Sequence, residues 1–345
     1  MEVIQKAQPG IQDVHISQPL TNLSIAYIQS QSEFIADKIF PVIPVSKQMD
    51  KYYVYDKGVW FRDEAQLRGP AQESAGSGYT LSNDNYSCSV YAFHKDIDDQ
   101  TRANCDEIIN LDSDANEFVM QRLMIKRERD FVNNFFNTSI WTDKTGGSDF
   151  TQWSSFAASD PIKDIADYKR YIKTRTGFNP NTLLIGGEVW DVLKRHPDIK
   201  ECYKYNRETA TLTTDMVARA LDIDRIIIGD AVYNSGVEGA ADSFAQIYGK
   251  HALLCYVNPR PSRMMPSAGY TFAWTGYGAR NAYGVTTGKI RNDLTKVDRI
   301  EGEMAYDMKV TGSDLGIFMS GGGLKWLLMI GVWFESLLLR LMIYW

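Results

Sequence analysis

The sequence predicts an α+β fold in which an N-terminal arm and an extended β-hairpin precede one long helix and a mixed α/β module. Three observations predict it. Strand-forming residues bracket a polar, glycine-rich tip between residues 46 and 95. Residues 112–138 run without glycine or proline. From about residue 163, short helical and strand patterns alternate.

Residues 1–45 read as the arm. Pro9, Gly10, Pro19 and many Gln and Ser leave only a short apolar piece near Leu23 to Ile28. Phe40-Pro-Val-Ile-Pro-Val45 carries two prolines, which disfavour both a helix interior and a central strand, so an extended, docked segment is expected.

In the hairpin, 46–95, residues 51–62 are rich in aromatic and β-branched types, which favour strand. On the return, Tyr86, Cys88, Val90 and Ala92 alternate with Ser87 and Ser89, the period-two pattern of a half-buried strand. Between them, Asp63, Glu64, Arg68, Gly69, Pro70, Glu73, Gly76 and Gly78 form a tip too polar to pack a core. A twelve-residue arm reaches about 40 Å at strand rise. An isolated hairpin is marginal in water, so a neighbouring chain is expected to cover it.

The helix over 112–138 opens on Asp112, Ser113 and Asp114, which supply an N-cap and favourable first-turn charge. Met120, Met124, Phe131 and Phe135 fall on one stripe; Phe118, Ile125, Val132 and Phe136 fall on a second, about 100° away. Two stripes predict cover on two sides, with Phe118, Met124, Ile125, Phe131, Val132 and Phe135 as the packing residues. Such a helix spans about 40 Å.

A looser stretch, 143–161, leads to a helix at 163–176 closed by Gly177 and Pro180. Strand 182–185, a short helix at 189–195, a helix from Thr213 or Thr214 to Leu221, and strands at 225–228, 244–248, 252–257 and 271–275 complete the α/β module. Met304, Tyr306, Met308 and Val310 then alternate with Glu303, Asp307 and Lys309, a half-buried strand. The apolar tail, 321–345, has the length of a membrane span, but Glu335 stands at its middle, where a charge costs about 2.5–3.5 kcal/mol. A buried or interfacial helix, or an altered reading frame at the gene's end, accounts for it better than an anchor.

Composition is that of a globular protein, 44% hydrophobic and 23% charged, with a net charge of −6 and no basic block. Dedicated nucleic-acid binding needs clustered cations, whereas a wall around DNA has no such need. Cys88, Cys105, Cys202 and Cys255 are scattered, which fits a reducing cytoplasm and neither a zinc site nor a disulfide framework. No signal peptide is read at the N-terminus, so the Asn-x-Ser triplets at Asn22, Asn85 and Asn137 carry no glycosylation reading.

Catalytic, cofactor and metal motifs are not found. There is no phosphate loop and no nucleophile elbow, and Gly276, Gly278 and Gly284 have the wrong spacing for a dinucleotide fingerprint. His15, His94, His196 and His251 lack partners at metal-ligand spacing. Asp96, Asp98 and Asp99 read as a solvated turn, because no glycine follows at the sixth position of a calcium loop. The Lys126-Arg-Glu-Arg-Asp130 run reads as a solvated or ion-paired helix face. Trp60, Trp141, Trp153 and Trp190 read as packing residues, with sugar stacking as the alternative. What remains is architectural: arm, hairpin and two-sided helix cannot bury their apolar faces alone, and symmetric self-association is the usual solution.

Ser32-Glu-Phe-Ile-Ala-Asp-Lys-Ile-Phe-Pro-Val-Ile-Pro-Val-Ser-Lys-Gln48, Lys51-Tyr-Tyr-Val-Tyr-Asp-Lys-Gly-Val-Trp-Phe-Arg-Asp-Glu-Ala65, Ser89-Val-Tyr-Ala-Phe-His-Lys-Asp-Ile97 and Asn-Leu-Asp-x-Asp-Ala at 110–115 resemble major capsid proteins of tailed bacteriophages, over roughly residues 30–315. The resemblance implies the Hong Kong 97-type capsid fold. Residues 1–45 become the N-terminal arm, 46–95 the extended loop, 96–179 the peripheral domain with its spine helix at 112–138, 180–285 the axial domain and 286–320 the return strands. It implies a structural protein, not an enzyme, that assembles with itself into pentamers and hexamers in the host cytoplasm and forms an icosahedral virion head. That head encloses double-stranded DNA without sequence-specific binding and involves no membrane. Portal and scaffolding proteins, and in some members a decoration protein, are the implied partners. Lys57 lies in the loop, but nothing assigns it the covalent crosslinking some members perform. Trp60, Phe61, Arg62, Asp63, Glu64 and Arg68 are the expected inter-subunit contacts. The rival readings are an encapsulin-like nanocompartment shell of the same fold and a carbohydrate-active enzyme using a carboxylate pair.

Overall fold

The computed structural model describes residues 29–105, 110–204, 212–260, 265–276 and 286–322. The arm up to residue 28 with His15, Gly278 and Gly284, and the apolar tail from residue 323 lie outside the described residues.

In chain order the elements are α1 (Ala36–Ile39), β1 (Val42–Val45), β2 (Met49–Tyr55), α2 (Lys57–Trp60), β3 (Leu81–Ser87), β4 (Ser89–Asp98), α3 (Asp99–Asn104) and α4 (Leu111–Phe135). There follow β5 (Thr142–Thr145), α5 (Pro161–Thr176), β6 (Thr182–Gly186), α6 (Gly187–Leu193), α7 (Pro197–Glu201), α8 (Thr214–Ala220) and β7 (Arg225–Gly229). The chain continues through β8 (Val232–Asn234), β9 (Phe244–Gln246), β10 (Ala252–Cys255), β11 (Gly269–Trp274), β12 (Thr286–Asn292), β13 (Val297–Val310) and β14 (Gly316–Ser320). They form two compact units, one holding α1–α4, β1–β4, β8, β9 and β11–β13, the other holding β5–β7, α5–α8, β10 and β14. The division falls after Phe135, so the stretch 136–179 belongs with the α/β module and not with the long helix.

The first unit is organised on β13. One edge of this strand pairs with β4 along Val297–Tyr306; the other pairs with β12 over Val297–Glu303 and then with β11 over Tyr306–Val310. Ile300, Met304, Tyr306 and Met308 point inward, as period-two alternation requires, while Val310 is half-buried. β1 adds in parallel to β11 at the sheet's edge, the position where Pro44 costs no ladder hydrogen bond.

Helix α4 packs on β13 and β4. Its buried line is Ala115, Val119, Leu123, Phe131 and Phe135. This corrects the two expected stripes. Phe131 and Phe135 are enclosed, Met124, Ile125 and Val132 are half-buried, and Phe118 is exposed. Small Ala115 carries little weight in a search for large apolar residues, yet it packs with Ile97 and Ile300 of the sheet, and Val119 one turn on is 0% exposed.

Two further expectations change. The strand expected over 51–62 ends at Tyr55, because the Asp56 carboxylate accepts from Gly58 N–H at 2.9 Å and caps the short α2. The alternation expected over 86–93 reverses phase. Tyr86 and Cys88 are buried, but Val90 and Ala92 are exposed while Tyr91 and Phe93 are half-buried. Cys88 stands between β3 and β4 and takes up the shift.

The second unit is a five-stranded sheet of order β5-β14-β10-β6-β7, in which β6 and β7 are parallel and β10 is antiparallel to both neighbours. Every residue of β6 and β10 is buried, the mark of strands covered on both faces. The stretch expected to be loose contributes β5, parallel to β14, and Trp153, which is 0% exposed. α5 starts on the Asp160 cap with Pro161 in its first turn and ends on Gly177 at φ 79°. Ile165 and Ile172 from this helix meet Leu183, Ile185, Leu254 and Ile317 in the core.

Candidate assembly surface

The hairpin is built from its root outward. At the root, Gln48 O accepts from Cys88 N–H at 2.9 Å, Gln48 Nε2 donates to Cys88 O at 3.1 Å, and Asp307 Oδ2 accepts from Ser87 N–H at 2.8 Å. Tyr86 stacks on Phe272 at 4.6 Å between centroids, and Tyr52 reaches the same ring at 5.6 Å. The Cys88 thiol lies in this aromatic pocket, donates to Phe272 O, and is pushed up to about 11 by burial. Tyr52 donates to Asp84 at 2.7 Å; burial, then this bond, raises its phenol above the ordinary range.

Beyond the root, among the described residues, β2 and β3 pair only with each other, from Met49↔Ser87 to Tyr55↔Leu81. Both faces meet water, and Met49, Tyr53 and Leu81 are exposed. At the outer end Tyr55, Trp60 and Tyr79 form a triangle of rings with centroids 5.8–6.2 Å apart. Trp60 remains 54% and Phe61 64% exposed. The turn Gly69-Pro-Ala-Gln72 closes with Gln72 N–H on Gly69 O at 3.2 Å, holds Ala71 at φ 59°, and is strapped by Arg68 Nε donating to Gln72 O at 2.6 Å. Arg62 and Glu64 pair loosely at 3.6 Å, and Asp63 is exposed. The structure therefore gathers Trp60 with two tyrosines that the sequence reading left out. The signal available was their place at the two ends of the ribbon flanking the tip.

At the near end of the first unit the three expected turn carboxylates are engaged. Asp96 takes a two-pronged bond from Arg299, Asp98 caps α3 by accepting from Thr101, and Asp99 takes a two-pronged bond from Arg291. Asp298 beside them meets Lys289 at 2.9 Å, Arg291 at 3.1 Å and Arg102 at 3.1 Å.

The Lys126–Asp130 run is ion-paired, with Lys126 and Arg129 exposed and its two acids turned inward. Glu128 is 0% exposed, and Asp130, nearly buried, takes Lys126 and the Tyr306 hydroxyl. Arg127 lies 3.5 Å from Asp37.

In the second unit, Ser159, His196 and Asp198 lie together as a triad would, with Oγ 3.0 Å from Nε2. The hydrogen bonds run the other way. Nδ1 accepts from Asp198 N–H, so Nε2 carries the ring proton and faces Ser159 as a donor, while the hydroxyl donates to Ser155 O. The imidazole has no lone pair left for the hydroxyl; it caps α7. Trp141 and Trp153 are buried, and Trp190 is half-buried. Among the described residues no cluster of three or more His, Cys, Asp or Glu is placed to hold a metal, and no helix is long and apolar enough to cross a membrane.

Comparison with known proteins gives one direction. A family profile described as phage major capsid protein E matches residues 147–244. The major capsid protein of Burkholderia phage BcepMu is 26% identical over 313 residues, covering 88% of this chain and 95% of that one. Among solved structures, a phage-related protein from Bordetella bronchiseptica RB50 is similar with a TM-score of 0.64 at 24% identity, over 86% of this chain and 95% of the other. The capsid of cyanophage P-SCSP1u follows at 0.59 and 11% identity, over 91% and 94%. Sequence similarity and fold point the same way: the chain is similar over most of its length to the major capsid proteins of phages and has the Hong Kong 97-type fold.

Proposed function

We propose that copies of this chain associate as pentamers and hexamers that close into an icosahedral head around double-stranded DNA, each hairpin lying over an adjacent subunit. The observation that carries this is the aromatic end of the ribbon, where Trp60, Phe61 and Tyr79 stay exposed around half-buried Tyr55 among the described residues. Drying one large aromatic side chain is worth roughly 2 kcal/mol, whereas an exposed ion pair through Arg62, Asp63, Glu64 or Arg68 adds about 0–1 kcal/mol. The rings therefore supply the adhesion and the charges supply register. In this reading the α4 unit takes the peripheral role and the β6–β10 sheet the axial one. A portal at one vertex, a separate scaffolding protein and a decoration protein are its further partners. The sequence match to a phage protein favours a virion over a compartment built around an enzyme.

The test is Trp60→Ala with Phe61→Ala. Particle yield in sedimentation and negative-stain microscopy falls sharply, while circular dichroism and the unfolding midpoint of the subunit hold. Normal particle yield overturns the reading.

A further inference from the structure

On the water-facing side of α4, Arg122, Lys126 and Arg129 stand four and three residues apart, hence on one line. Each lies over an aromatic ring: Arg122 over Phe118 at 5.2 Å, Lys126 over Tyr91 at 5.0 Å and Arg129 over Tyr233 at 4.7 Å. Lys95 of β4 reaches Phe118 at 5.4 Å. The line from Arg122 to Arg129 covers about 10 Å of helix axis. Lys126 is paired with Asp130, but among the described residues no carboxylate pairs with Lys95, Arg122 or Arg129. Like charges one helical turn apart repel, so helix stability alone favours an acid among them. The chain carries a net charge of −6, and this face runs against its composition. Spacing of four and three hides the feature from any search for a basic block.

We infer that this stripe touches the phosphate backbone of double-stranded nucleic acid. The inference rests on the reading of the chain as a shell around DNA and names the part of its surface that meets it. Rings in place of carboxylates hold the cations in position without neutralising them, and cation–π support is weak enough to leave their charge available. Lys95, Arg122 and Arg129 present cationic donors, which suits phosphates and leaves base edges unread. Few contacts per subunit make each attachment weak and strongly salt-dependent, so the polymer is lined without being trapped.

The test is fluorescence anisotropy of the purified full chain with a short mixed-sequence duplex across a salt series. Lys95→Gln/Arg122→Gln/Arg129→Gln is compared with Arg122→Lys/Arg129→Lys, and a polyglutamate peptide serves as competitor. Wild type and the lysine variant bind with a steep salt slope; the glutamine variant loses about 0.9 of that slope per contact removed and binds at least tenfold more weakly. An unchanged slope in the glutamine variant overturns the inference, as does polyglutamate binding tighter than the duplex. Shell assembly is scored separately. Particles that form normally from a variant with unaltered DNA binding reject the stripe and leave the shell intact. Wild-type chain that binds duplex through the stripe but never assembles rejects the shell.

Discussion

Glu128 Oε1 accepts the backbone N–H of Ala36 at 2.8 Å, across 92 residues of chain and out of reach of water. This bond pins the start of α1 to the long helix, and Phe40 follows it in against Phe135, centroids 4.6 Å apart. Replacing Glu128 by Leu leaves the Ala36 amide buried without this acceptor, a loss of about 1–3 kcal/mol. The urea midpoint falls at unchanged m, and Glu128→Gln, which keeps an acceptor oxygen, falls less.

Acid is expected to act in two stages. Burial holds His196 and His251 below their ordinary value of 6.5, so the unfolded chain takes up these protons first. Their contribution is complete above pH 6.5 and is lost as pH falls from there through the lowered values. Hydrogen bonds from Lys289 and Arg291 hold Asp298 below 3.8, the bond from Arg102 does the same for Asp112, and that from Arg291 for Asp99. That contribution is complete above 3.8 and disappears only as pH drops below it. Tm measured against pH falls in two steps. His196→Asn, which keeps an acceptor for Asp198 N–H, reduces the first; Asp298→Asn reduces only the second.

Gly186 closes β6 where a Cβ would stand 1.9 Å from the carbonyl oxygen of Gly249. Neither backbone can yield without breaking the sheet end, so Gly186→Ala costs at least about 3 kcal/mol. Gly76→Ala, at a position with nothing within 4 Å, serves as the control and leaves Tm unchanged. Thermal melts followed by near-ultraviolet circular dichroism separate the two.

Tyr306 donates to Asp130 at 2.9 Å inside the first unit, and burial, then the charge of Asp130, raises its phenol well above the ordinary range. Tyr306→Phe takes one donor from a nearly buried carboxylate and costs about 1.5–3 kcal/mol in chemical denaturation. Because Lys126 bonds the same carboxylate at 2.5 Å, combining this change with Lys126→Ala gives a non-additive loss.

The elements whose signal is local were legible in the sequence. α5 announces itself by Asp160, Pro161 and Gly177, β6 by a short apolar run, and β13 by strict alternation. The long helix was legible in extent, but its buried line was not, because Ala115 and Val119 are chosen by the sheet they meet and not by their size. Within the Lys126–Asp130 run the burial of Glu128 and Asp130 was not legible, because the partners Ala36, Asp37 and Tyr306 are distant in the chain, and periodicity carries no record of them. The exposed ribbon could be read from composition. The ring triangle at its end could not, since it depends on the short turn of α2 bringing Trp60 back beside Tyr55.

The ribbon's root has a mechanical consequence. β2 is about 23 Å long; Tyr52 is its last residue in contact with the Phe272 ring, and beyond it the described residues pair the strand with β3 alone. Any push on the far end is multiplied there into a torque, resisted by the Asp307–Ser87 bond and the Gln48–Cys88 pair, with the pleat already broken at Cys88. Bending is thereby concentrated at a single joint, so a stiff lever can be re-aimed while its pairing and its aromatic end travel as one piece.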